Sequence, residues 1–144
     1  MPPPTSTLLQ LEDSEVAALT WTPTGWTLRL SAAQVQVGAP GRPAREAVHG
    51  HLSGVSLTLV AHTPEAVPPS TAPQSGRIRE ARLRWRASPE QDWTSLRTLP
   101  VPGEWVGECE LSLQIGLNAP FTWRGTRLHI DVADDACFRE SWAC

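Results

Sequence analysis

Apolar and polar residues alternate along most of this chain, and the alternation predicts strands. The segment 109–115 (CELSLQI) puts Cys109, Leu111, Leu113 and Ile115 on one face and Glu110, Ser112 and Gln114 on the other. Residues 127–132 (RLHIDV) repeat the pattern, with Leu128, Ile130 and Val132 opposed to Arg127, His129 and Asp131. Residues 16–21 (VAALTW) and 26–32 (WTLRLSA) flank TPTG, which reads as a β-hairpin. Trp26, Leu28, Leu30 and Ala32 share a face of the second arm. Val35 and Val37 are out of phase with them, which predicts a bulge near Ala33–Gln34. Residues 51–61 (HLSGVSLTLVA) predict one more strand, with Val55, Leu57 and Leu59 inward.

Residues 77–87 (RIREARLRWRA) fit two periods. A helix aligns Ile78, Ala81 and Trp85; a strand aligns Ala81, Leu83, Trp85 and Ala87 and leaves Ile78 out of phase. The surrounding strands decide for a strand, since sheet context overrides weak propensity. The expected core is then Leu28, Leu30, Leu57, Leu59, Leu83, Trp85, Leu111, Leu113, Leu128 and Ile130. Proline and glycine gather between these segments. Residues 38–50 and 62–76 are the richest stretches and are expected to be mobile loops. In the tail, DDACFRESWAC, a helical turn capped by Asp134 or Asp135 is expected. The whole predicts one all-β domain over residues 1–144, an antiparallel β-sandwich or flattened β-barrel of about seven to nine strands.

Charge and composition narrow the function classes. The formal net charge is −3, which argues against a general nucleic-acid binder. No apolar run approaches the ~20 residues of a membrane helix, so no membrane partner is expected. All twelve basic residues are Arg, and Lys and Tyr are absent. The cysteines, at 109, 137 and 144, are odd in number, and the opening MPPPTSTLLQLED has neither a basic n-region nor an apolar h-region. Reduced thiols and a cytoplasmic location are the expectation.

Three constellations carry candidate chemistry. His49 and His51, at i and i+2 on a strand, project to one face and can chelate a metal. Their spacing resembles that of the cupin barrels, which add a following Glu and a distant third His. Here no carboxylate follows until Glu65, and only His62 and His129 remain as further histidines. No metal and no cofactor are therefore expected. Arg82, Arg84 and Arg86 form a stripe suited to an anion. Glu108 and Glu110 would neutralise two of them if the strands are neighbours. Of seven tryptophans, Trp26 and Trp85 lie in phase with the core, whereas Trp93, Trp105 and Trp123 lie near predicted loops and are the candidates for an exposed ligand surface.

No GxSxG, Walker, HExxH or GxGxxG motif is present. The leading expectation is a non-enzymatic binding or interaction module, whose partner is another protein or a second copy in a homodimer. Edge strands without Lys and with few prolines favour self-association. A carbohydrate- or small-ligand-binding module using Trp and Arg is the alternative. A metal-dependent cupin-like enzyme built on His49 and His51 comes third.

Overall fold

The computed structural model describes residues 6–22, 24–38, 47–61 and 75–140. Among them the chain forms ten strands and no helix: β1 (Ser6–Thr22), β2 (Gly25–Gly38), β3 (Val48–Leu52), β4 (Val55–Val60), β5 (Gly76–Arg86), β6 (Thr94–Leu96), β7 (Leu99–Pro100), β8 (Gly103–Ile115), β9 (Phe121–Val132) and β10 (Phe138–Glu140). Every pairing is antiparallel. β1, β2, β4, β9, β8 and β5 pair in that order, and β5 returns to β1, so these strands close a barrel. β3 and β10 extend one side, while β6 and β7 attach to β5 and β1.

The alternation explains the core. Nine of the ten residues expected inside are buried; the tenth, Trp85, is half-buried and donates its indole N–H to the Val106 carbonyl at 3.0 Å. Burying each Leu or Ile contributes roughly 1.5–3 kcal/mol, and the inward stripes of all six barrel strands meet in one cluster. The β1–β2 hairpin forms as expected, with Trp21 opposite Trp26 and Thr22 opposite Gly25.

Several expectations are corrected. The described residues form ten strands rather than seven to nine, because β6, β7 and β10 are too short to show an alternation. The strand expected over 51–61 begins at Val48, inside the stretch expected to be a loop, and kinks at Ser53–Gly54, where Gly54 takes φ 77°. β3 then pairs with Ala33–Val37 and β4 with Gly25–Leu30, so both lie along β2. β2 changes phase at Ser31–Ala32, slightly earlier than expected: Ala33, not Ala32, is buried with Val35. Ala87, expected inward, is exposed because β5 ends at Arg86. The expected helical turn is replaced by a turn at Asp134–Asp135 leading into β10. The bulk of both Pro-rich stretches, 39–46 and 62–74, lies outside the described residues.

β9 crosses the end of β4 at Gly125. A Cβ there would come within 2.6 Å of the Val60 carbonyl and 2.7 Å of the Leu59 side chain. Only a residue without a side chain lets the two strands approach this closely.

Candidate functional site

β1 and β5 close the barrel through Glu15 opposite Arg77 and Val16 opposite Gly76. Beyond those pairs they part, and each carries an irregularity where it does. β1 uses five steps from Gln10 to Glu15 while β2 uses two, from Gln34 to Ala32. Within this excursion Asp13 takes φ 70°, a left-handed conformation that Asp tolerates better than most residues. Ser14 is buried and fixes the bend: its Oγ accepts from the Gln34 N–H at 2.9 Å and donates to the Gln10 carbonyl at 2.7 Å. Arg77 donates to Asp13 Oδ1 from Nε at 3.1 Å and from Nη2 at 2.8 Å. On β5 the register against β8 shifts between Ile78 and Glu80, which turns Ile78 into the core despite its phase.

Once apart, the strands take different neighbours. β1 pairs with β7 at Leu8 and Leu9, and β5 pairs with β6 over Leu83–Trp85. Residues 97–98 join β6 to β7. The opening is a groove of about 810 Å³ between β1, β5 and this connection. Gln10, Glu12, Arg82, Ser95, Arg97 and Thr98 supply its polar lining. Glu12 reaches toward the far wall, with Oε1 3.5 Å from the Ala81 backbone nitrogen. Barrel bulges of this kind recur beside functional sites, where they re-aim side chains.

The described arginines differ in their partners. Arg77, Arg84, Arg86, Arg124 and Arg127 each pair with a carboxylate. Arg82 and Arg97, like Arg29, Arg79 and Arg139, are exposed and make no ion pair among the described residues; of these five, Arg82 and Arg97 line the groove. The sequence stripe at 82–86 is therefore not one site. Arg84 lies opposite Glu110 and Arg86 opposite Glu108 across the β5–β8 ladder. Arg84 Nε donates to Glu110 Oε1 at 2.8 Å, Arg86 Nε to Glu108 Oε2 at 2.6 Å, and Arg124 Nε to Glu110 Oε2 at 2.8 Å. The Arg84 hydrogen bond, foremost, with Arg124 beside it, holds the Glu110 carboxyl below its ordinary value.

Trp93 joins that cluster. Its ring centre lies 4.3 Å from the Arg84 guanidinium and 4.4 Å from that of Arg86, so both cations stack on it. Trp105 is half-buried and packs against the core. Trp123 corrects the expectation of an exposed platform: it is only 4% exposed, with Trp26 at 4.5 Å and Phe121 at 3.8 Å between ring centres. The phase of β9 breaks at Thr126–Arg127, both exposed, so odd positions point inward before the break and even ones after it. Trp123 lies within β9, which begins at Phe121, rather than near a loop as expected. Trp26 is buried with its indole N–H lacking a hydrogen-bond partner.

The histidines do not converge. His49 and His51 lie on β3 opposite Gln36 and Gln34. His129 lies on β9 opposite Thr58, which faces Thr27 of β2. Thr27 and Gln34 are seven positions apart on β2, roughly 20 Å at ~3.3 Å per residue. His129 instead meets Asp131, Nε2 to Oδ2 at 2.5 Å. His62 lies outside the described residues. Among the described residues no group of three or more His, Cys, Asp or Glu could hold a metal ion. Cys109 faces the core as expected, and burial pushes its thiol up to about 11, which disfavours the nucleophilic thiolate. Comparison of the chain with protein-family models, curated proteins and solved structures finds no match.

Proposed function

We propose that this protein is a small-ligand-binding module whose site is the groove between β1 and β5, and that its ligand is polar with an anionic group. One observation carries the reading: Arg82 and Arg97 border the same groove, and neither is neutralised by a described carboxylate. A guanidinium offers a planar fork of donors matched to carboxylate or phosphate. The groove volume falls within the range of small-molecule sites. Its lining favours Arg over Trp as the recognition group, since Trp93 is engaged by Arg84 and Arg86 and Trp123 is buried.

The test follows the arginine side chains by NMR, through their Nε–H signals, during titration with small carboxylates, amino acids and sugar phosphates. At least one probe should shift Arg82 and Arg97 saturably below about 1 mM, a binding free energy near −4 kcal/mol. A folded Arg82→Ala/Arg97→Ala variant should lose the response. Binding that is unchanged in this variant removes the reading.

Self-association is favoured by a separate observation. β10 ends the sheet path, and Phe138 on it is an exposed aromatic. A homodimer through this edge predicts a doubled mass by light scattering at micromolar concentration, lost in Phe138→Asp. A monomer mass throughout the range refutes it.

A further inference from the structure

We infer that the groove selects a zwitterionic ligand, a free α-amino acid or a close derivative that keeps both charged ends. The inference rests on the groove being a ligand site, as proposed above. It adds which charges the ligand must carry.

The walls differ in sign. Arg82 stands on β5 and Arg97 on the β6–β7 connection, whereas Glu12 stands on β1. Glu12 approaches the backbone of Ala81, next to Arg82, yet pairs with neither Arg82 nor Arg97. Both signs are thus present in one groove and neither cancels the other. A simple anion would meet Glu12 as well as the guanidiniums, and a phosphate would meet it with more charge. A neutral sugar would leave the guanidiniums without a counter-charge. An amino acid answers both: its carboxylate fits the guanidinium fork, and its ammonium fits Glu12.

The neutral lining supports the same class. Gln10, Ser95 and Thr98 offer donors and acceptors around the charged triad. About 810 Å³ is ample for an amino acid with its side chain and exceeds the need of a lone phosphate. The two bulges position the triad. The excursion held by Ser14 and Asp13 presents Glu12 from β1, and the irregularity at Ile78–Glu80 precedes Arg82 on β5.

Calorimetry tests the inference. Pools of the L-amino acids are screened, and the tightest binder is then compared with its N-acetyl derivative, its carboxamide and inorganic phosphate. The N-acetyl form lacks the cation and the carboxamide lacks the anion, so each should bind roughly ten- to a hundredfold more weakly. Glu12 is exposed, so Glu12→Gln leaves the fold intact. It should weaken the parent about tenfold and shrink the gap to the N-acetyl form. If the N-acetyl form or phosphate binds as tightly as the parent, and Arg82→Ala/Arg97→Ala abolishes that binding, the zwitterion requirement falls while the groove remains an anion site. If no amino acid binds through the two arginines, the zwitterion inference falls; the groove reading falls with it only if the small carboxylates and sugar phosphates also fail to bind or bind independently of both arginines.

Discussion

Raising the pH from 8 to 11 should destabilise this protein through one buried thiol. Cys109 sits in the core at 1% exposure, and burial raises its thiol from 9.0 to about 11. The folded state therefore holds the proton more tightly than the unfolded state. For a raised value the associated stability is fully present below about 9 and is lost as pH climbs through about 11. A shift of two units corresponds to about 3 kcal/mol. The composition makes this limb unusually clean. Lys and Tyr, the side chains that ordinarily titrate near pH 10, are both absent, and Arg keeps its proton. Urea denaturation followed by tryptophan fluorescence at pH 8, 9.5 and 11 measures the effect. Wild type should lose about 2–3 kcal/mol across that range. Cys109→Ala should be about 1–2 kcal/mol less stable at pH 8, from the lost packing, but nearly flat in pH. An equal alkaline slope in Cys109→Ala, or a flat wild type, would refute the reasoning.

Other residues give equally direct expectations. Glu110→Gln should cost about 1–2 kcal/mol in chemical denaturation at pH 7, since Arg84 and Arg124 both lose their carboxylate. Because the Glu110 carboxyl is held low, its contribution is present above about pH 4.5 and lost as pH falls through the folded value, so wild type and variant should converge in acid. Gly125→Ala should abolish folding or cost more than about 3 kcal/mol, read by thermal unfolding, because the new methyl group meets the Val60 carbonyl. Trp93→Ala should cost only about 0.5–1 kcal/mol while freeing the Arg84 and Arg86 guanidiniums from their stacking partner.

The barrel strands were legible where alternation ran unbroken. Cys109 to Ile115 and Leu57 to Leu59 needed no tertiary information, because one wet face and one dry face leave a single register that buries the apolar set. The Arg84–Glu110 and Arg86–Glu108 pairs followed from matching charges on two outward faces. The failures cluster where the period breaks. Proximity to a predicted loop points Trp123 to the surface, but β9 already runs from Phe121, and the bulge between Val106 and Cys109, opposite Thr126, gives Trp123 an inward phase that Leu128 does not share. β6, β7 and β10 span two or three residues each, shorter than any periodicity can register.

The groove shows the same physics from the other side. Its determinants were written in the sequence as defects: Ile78 lay out of phase with Leu83, and Leu9 and Leu11 lie out of phase with Val16 across Asp13 and Ser14. Each defect is a bulge, and the two bulges face one another across β1 and β5. A closed barrel leaves no free strand edge, but here β1 and β5 pair only at Glu15–Arg77 and Val16–Gly76. Two bulges on neighbouring strands open it locally, while Asp13–Arg77 and Ser14–Gln34 hold the excursion in place. The one bulge expected from the sequence lies near Ala33–Gln34; the bulges on β1 and β5, and their coincidence, emerge only from the strand pairing. That coincidence also explains why Arg82 separates from Arg84 and Arg86. The latter two lie over the intact β5–β8 ladder, where Glu108 and Glu110 meet them, whereas Arg82 lies opposite Ser112, which carries no charge. Arg82, with no facing carboxylate on the β5–β8 ladder, thus borders the parted wall, and this is the observation on which the proposed ligand site rests.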